Sequence, residues 1–348
     1  MPRFERVHTD YHGRLGLPVG VFVAVDHLRR AGRLTPDDEA LWLAIDDWFV
    51  AHLPEPPQYA DGNSLGVITW FKTPVPALMQ RRVDVATRLL SKYGVAWSVS
   101  ASDAPGEVVY EDEYQVAVVP PVRGEPSAPP AGLVLGPTTS GSKQALASEE
   151  SAVARRHLAY YATELGDRAT RTLHANRSRQ LAGFIEQCRS AGLRSVLEVG
   201  CGGGGDGVVL QDAGLDYRGV DLTPEAIDIC TDRGLSVMAA SASDLPFEED
   251  SFDALWTMST LMHLDGDGFD RAVAEVGRVV RPGGLASVGL WGSEPPARRI
   301  DEHGRLFVQR SDVQVREAFS RIGSVDTFEV SRWYGDGGHY QFLAVRVG

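Results

Sequence analysis

The stretch "VLEVGCGGGGDG", Val196 to Gly207, decides the fold. An apolar run holding a single acid, Glu198, ends at Gly200, and glycines then crowd the positions that follow. β-Branched and apolar residues stopped by a glycine-rich bend predict a strand that turns sharply into a helix.

The same logic extends outward. "SVLEVG" predicts a strand and Asp206–Asp212 the start of a helix. "DYRGVDL" follows as a strand and Pro224–Arg233 as a helix with its proline near N1. "LSVMAAS" and "FDALWTM" read as strands, Phe269–Val280 as a helix, "GLASVGLW" as a strand and Val313–Ile322 as a helix. "SVDTFEVSRW" and "HYQFLAVRV" close the chain as an antiparallel pair, and two helical stretches, Glu149–Leu165 and Ala169–Ala191, precede the first strand. Alternation of this kind predicts an α/β fold, a mostly parallel, doubly wound sheet whose ligands bind at the carboxyl ends of its strands.

Gly200, Gly202 and Gly205 fit G-x-G-x-x-G, and Asp221 ends the next strand about twenty residues on, as in dinucleotide sites. A structural turn would show the same glycines. Charge separates the ligands. Glu198, placed by its position at the mouth of the bend, would repel a pyrophosphate and suit a ligand bearing an ammonium and a sulfonium. Asp221 serves either ligand, since a carboxylate accepts from both ribose hydroxyls.

With these residues in place the segment resembles a class I, Rossmann-like S-adenosylmethionine-dependent methyltransferase, of the branch that modifies small molecules and includes ubiquinone-biosynthesis-type enzymes. "VLEVGCGGGG" is similar to the family's first motif and "GVDLTPEAI" to its second. "LPFEEDSFDALWTMSTLMHL" resembles the stretch into its fourth strand, and "AEVGRVVRPGGLASVGLW" the turn into its fifth. The resemblance covers Arg194 to Gly292 and implies S-adenosyl-L-methionine as cofactor. Glu198, Gly200, Cys201, Gly202, Gly204, Asp221, Leu222 and Met258 would line its site. The family places an acid before "LPF" to meet the adenine amino group; here Ser241 stands there, so adenine is expected on Ser241 and Ala242, with Asp244 as a substitute or a turn residue. His263 in "TLMHL" is the candidate general base, against a packing role. Tyr160 and Tyr161 fall on the helix that acts as a lid in the family, and Trp291, His303 and Tyr334 on the C-terminal part that supplies substrate contacts.

The remaining sequence bounds the picture. The chain has 348 residues and a net charge of −13, which argues against a nucleic-acid partner. "HLRR" and "QRRVD" read as solvated helix faces. Three cysteines, Cys188, Cys201 and Cys230, make no disulfide framework or metal-ligand spacing, and "MPRFERVHTD" is no signal peptide; the expectation is a cytoplasmic protein off the membrane. Six prolines between Pro120 and Pro137 mark a linker, 120–148, between an accessory α/β domain, 1–119, and the methyltransferase-like domain, 149–348. In the first domain Thr35 reads as a helix cap, Asp61-Gly62-Asn63 as a turn, and Trp70 and Phe71 as core or binding edge. Asp253 reads as a backbone anchor, and Asp265 with Asp267 as a helix-capping turn rather than a calcium loop. The leading expectation is methyl transfer to a small-molecule acceptor. A non-catalytic S-adenosylmethionine or S-adenosylhomocysteine sensor and an NAD-dependent oxidoreductase are the alternatives.

Overall fold

The computed structural model describes residues 2–13, 16–60, 63, 65–121, 125, 127, 130, 133, 148–332 and 338–348, without the side chain of residue 168. Most of the expected linker, Asp61 and Gly62 of the expected turn, and Tyr334 lie outside the described residues. The chain divides into two compact units, Met1–Ala152 and Val153–Gly348.

The first unit runs β1 (Phe4–His12), β2 (Pro18–Gly20), α1 (Val21–Arg30), α2 (Pro36–His52), α3 (Pro57–Ala60), β3 (Ile68–Lys72), α4 (Ala77–Lys92), β4 (Trp97–Ser102), β5 (Glu107–Glu111) and β6 (Gln115–Val119). Its strands form an antiparallel sheet in the order β2-β1-β3-β6-β5, with β4 also on β1. Strand β1 hides in a charged N-terminus whose alternation, Phe4, Arg6, His8, was not read as a strand. Thr35 caps α2, its side chain accepting from the Asp38 N–H at 3.3 Å, and three acids fill the first turn, where the helix dipole favours them. Leu41, Ile45 and Phe49 turn inward, and Phe71 meets Phe22 edge-on at 6.3 Å, so β3 contributes core.

The second unit holds α5 (Glu149–Thr170), α6 (Ala175–Ser190), β7 (Ser195–Val199), α7 (Gly205–Asp212), β8 (Asp216–Asp221), α8 (Pro224–Asp232), β9 (Val237–Ala239), β10 (Phe252–Met258), a single 3₁₀ turn (Leu261–His263) and α9 (Gly266–Val279). It continues through β11 (Val280–Trp291), β12 (Ala297–Ile300), β13 (Leu306–Gln309), α10 (Asp312–Phe319), β14 (Gly323–Ser331) and β15 (Tyr340–Val347). Helix α5 outlasts its predicted end at Leu165, and the break falls at 171–174, where His174 caps α6.

Seven strands line up as β14-β15-β11-β10-β7-β8-β9, parallel from β9 to β11. The C-terminal pair is antiparallel as expected, and β15 sits inside the sheet between β11 and β14. Its nearly unbroken apolar run, buried at all but one position, suits that interior place, whereas β14 alternates and lies at the edge. Sheet order reverses between β7 and β10, the switch point at whose carboxyl ends sheets of this kind bind ligands. Asp253 anchors the opposite end, accepting from the Arg194 and Ser195 N–H groups at 2.6 and 3.0 Å. Among the described residues no helix is long and apolar enough to cross a membrane.

Candidate functional site

The glycine bend is held by backbone. After β7, the Gly200 and Cys201 N–H groups both donate to the Val220 carbonyl of β8, at 2.8 and 3.0 Å. Gly200 has φ 79°, a left-handed conformation, and a Cβ there would overlap the Thr260 side chain. Gly204, φ 75°, caps α7, and a Cβ would fall 2.8 Å from Leu235 and 2.9 Å from the Cys230 sulfur. Both positions require glycine, for conformation and for room.

Asp221 at the end of β8 joins this bend to the next loop. Its Oδ2 accepts from the Gly202 N–H and its Oδ1 from the Thr223 N–H, each at 2.9 Å. Burial pushes the carboxyl above the usual aspartate range, and the N–H groups of Thr223 and Gly202 pull it back. The Thr223 hydroxyl and the Leu222 N–H also lower it, so an incoming hydroxyl would share the carboxylate with these donors. The structure thus brings Gly200, Gly202, Gly204 and Asp221 together, with Leu222 in the loop after Asp221.

Glu198 lies elsewhere than its sequence position suggested. It is 2% exposed, beneath the bend rather than at its mouth, because the residue alternates with Val199 on a strand covered on both faces. Its Oε2 accepts from the Tyr217 hydroxyl at 2.7 Å. Burial, then the neighbouring Asp206, drive its carboxyl well above the usual glutamate range. Asp206 in turn takes the Arg177 guanidinium and the Trp256 indole N–H on one oxygen, Oδ2, at 2.6 Å each; its other oxygen is buried without a hydrogen-bond partner. Arg177, Asp206, Tyr217 and Trp256 were not singled out in the sequence. They come from α6, α7, β8 and β10, and no local motif links them.

The side chains of Met258 and Cys201 are also buried. Met258 is 4% exposed and packs in the core, its sulfur 3.6 Å from the Tyr340 hydroxyl, which reaches it across Gly289 of the intervening β11. The Cys201 side chain is buried with its sulfur 3.9 Å from that of Cys230, so the residue offers the bend its backbone. Ser241 is buried and engaged in its own turn: its hydroxyl meets that of Ser243 at 2.9 Å and accepts from the Ser243 N–H at 3.1 Å. Ala242 is partly buried beside it, and Asp244 is exposed.

A second cluster forms around His263. Its Nδ1 lies 2.6 Å from the Leu306 carbonyl and its Nε2 3.3 Å from the Tyr161 hydroxyl. His157, one helical turn before Tyr161, packs 4.3 Å from the His263 ring, and Phe307 packs 4.8 Å from it. Tyr160 meets His303 at 4.9 Å and carries the Arg305 guanidinium 4.1 Å above its ring. Trp291 packs instead on Tyr340. Arg305 and Phe307 belong to the β12–β13 hairpin, which the sequence did not reveal: its strands are four residues each, and Arg298 and Arg299 mask the pattern.

With this geometry in view, residues 197–288 match the family model described as a methyltransferase domain. The match runs from β7 into β11, and so includes the glycine bend, Asp221 and His263. The chain is 40% identical over 97 residues to a fatty-acid O-methyltransferase of Mycolicibacterium smegmatis, covering 26% of this chain and 35% of that protein. It is 32% identical over 120 residues to a tRNA (carboxymethyluridine(34)-5-O)-methyltransferase of Arabidopsis thaliana, covering 33% of this chain and 28% of that one. The chain thus spans about a third of the length of these curated relatives. Among solved structures, a 1,6-didemethyltoxoflavin-N1-methyltransferase of Burkholderia thailandensis aligns with a TM-score of 0.48 at 21% identity, over 59% of this chain and 92% of that one.

Proposed function

We propose that the methyltransferase domain binds S-adenosylmethionine and transfers its methyl group to a small-molecule acceptor. The observation that carries the reading is Asp221, tied to the Gly202 N–H where the two central parallel strands end, inside the segment that matches the family. The residues fit the ligand. Asp221 is an acceptor that a ribose diol would share with the surrounding N–H groups, and the bend supplies close backbone approach. Beneath it, two carboxyl groups, Glu198 and Asp206, face a single guanidinium, Arg177, which is already paired at 2.6 Å. With a proton on Glu198 and Arg177 paired to Asp206, this layer offers a pyrophosphate no unpaired cation. When bound, S-adenosylmethionine supplies an electrophilic methyl on a sulfonium. Ser241 and Ala242 would face its adenine, and the protein's task is to align donor and acceptor and to exclude water.

The acidic chain, −13 overall, supports a small molecule rather than a nucleic acid as acceptor. Its three cysteines are free, Cys201 and Cys230 even at 3.9 Å, in keeping with a reducing cytoplasm. Calorimetry should show S-adenosylmethionine or S-adenosylhomocysteine binding in the micromolar range, about −8 kcal/mol. Saturable NAD binding without a response to either would instead indicate an oxidoreductase. Binding without methyl transfer to any acceptor in a cell extract would indicate a sensor.

The domain boundaries belong to the same reading. A chain beginning at Ala147 keeps α5, α6 and every residue of the site. It should fold alone and bind S-adenosylhomocysteine within about tenfold of the whole protein, or about 1.4 kcal/mol. Aggregation of that chain would show that the accessory part shares its core.

A further inference from the structure

The cluster around His263 has a chemistry of its own. A carbonyl oxygen only accepts, so the Nδ1 that lies 2.6 Å from the Leu306 carbonyl carries a hydrogen, and in the neutral ring Nε2 is then the accepting nitrogen. Nε2 faces the Tyr161 hydroxyl at 3.3 Å. The Arg305 guanidinium, fixed by Asp301 at 2.7 Å, lies 5.9 Å from the centre of the same phenol ring. The phenol therefore has an imidazole at its oxygen and a cation beside its ring. The first draws off its proton and the second stabilises the oxygen anion left behind. Rings surround the spot: His157 and Phe307 beside the imidazole, at 4.3 and 4.8 Å, and Tyr160 beside Tyr161 at 5.2 Å.

We propose that the methyl acceptor is an aromatic hydroxy compound whose hydroxyl takes the place of the Tyr161 hydroxyl on His263 Nε2. Its ring lies along His157, Tyr160 and Phe307, and Tyr161 is its internal stand-in. The inference rests on the methyl-transfer reading above. The aryl O–H bond breaks, its proton goes to Nε2 and makes an imidazolium, and the oxygen forms a bond to the methyl carbon as the sulfonium–methyl bond breaks. An aryl methyl ether and a neutral thioether result. An aliphatic alcohol is too weak an acid for an imidazole base and has no face for the rings. An ammonium acceptor would meet Arg305 as a like charge.

The test uses the whole protein saturated with S-adenosylhomocysteine and titrated with 4-nitrophenol, slightly below the pH at which the probe ionises in water. Bound probe should show the phenolate absorption band, and the band should saturate. His263→Asn should weaken it by at least about tenfold, the scale of one lost hydrogen bond to a charged group. Tyr161→Phe should bind the probe as tightly as the wild-type protein or more so, since the competing phenol is gone. A wild-type protein that gives no saturable band overturns the proposal without any variant. So does a band that His263→Asn leaves unchanged, or one that Tyr161→Phe abolishes. Calorimetry with S-adenosylhomocysteine on the same samples separates the two readings: cofactor binding without the band defeats the phenolic acceptor alone, and absent cofactor binding defeats the methyltransferase reading beneath it.

Discussion

The glycine bend and the His263 cluster are built by different means. In the bend the contacts are backbone: paired N–H groups on the Val220 carbonyl, and N–H groups of Gly202 and Thr223 on Asp221. In the cluster they are side chains, with His157 and Tyr161 from α5, His263 from the turn after β10, and Arg305 and Phe307 from a hairpin over forty residues further on. Backbone cannot be changed by substitution except where glycine is required or where a carboxylate holds it. Side chains can be exchanged one at a time. The bend is therefore the part to break with few changes and large effects, and the cluster the part free to vary; on the proposed function they are the donor and acceptor sides.

The largest effect should come from Gly200→Ala. The added methyl must occupy the Thr260 side chain's space in a left-handed conformation. Clash and backbone strain together predict a loss of about 3–5 kcal/mol of stability and of cofactor binding beyond detection. Urea unfolding and calorimetry would check both, and a stable variant that still binds would show that the bend relaxes.

The same difference explains what was legible. The bend, Asp221, and the alternation from β7 to β11 could be read because each is a local pattern: a glycine run, an acid at a strand end, a change of hydrophobic period. The Arg177–Asp206–Trp256 set could not, since those residues stand 29 and 50 positions apart and meet only through the folded sheet. The resemblance makes Met258 a lining residue; its contact with Tyr340, some eighty residues later, is not a local pattern. Glu198 was read for its charge, but burial on a two-sided strand changes what that charge can do. His263 and Tyr161 were each visible as residues; their meeting, and the part of Leu306, were not.

Next in size is Asp221→Ala. It removes the acceptor for a ribose diol and releases the Gly202 and Thr223 N–H groups, so cofactor affinity should fall by about 2–4 kcal/mol. Equal affinity in a folded variant would take Asp221 out of the site.

Glu198→Gln tests the layer under the bend. The folded protein holds a proton on Glu198 at pH values where the unfolded chain has released it, because the carboxyl is raised well above its ordinary 4.5. A raised pKa means that more protons are bound when folded, so this group's contribution to stability falls as pH rises through the window above 4.5. Glutamine cannot ionise. The variant should therefore gain on the wild-type protein as pH rises from the acid range to neutrality, in urea unfolding at a series of pH values. Asp221, raised in the same direction, leaves a residual slope in both proteins. Parallel curves for the two proteins would mean that Glu198 is ionised and balanced by Arg177.

The smallest effect should belong to Ser241→Ala, at the point where the chain departs from the pattern it otherwise resembles. A carboxylate at this place could accept from an adenine amino group with lone pairs to spare. The Ser241 hydroxyl already meets Ser243 Oγ at 2.9 Å and accepts from the Ser243 N–H at 3.1 Å, and only 7% of the residue is exposed. Adenine would have to compete for an oxygen that its own turn occupies. The Ala242 N–H, untouched by the substitution, would still face the ring. Cofactor affinity should thus drop by less than about 1 kcal/mol, or under about fivefold, within the range of one neutral hydrogen bond. A loss beyond about tenfold would place a strong polar contact on Ser241 and make the donor side depend on a side chain after all, closing the contrast with the acceptor side. Asp244→Ala is the control: it is exposed, and a larger loss there than at Ser241 would move the adenine contact to that carboxylate.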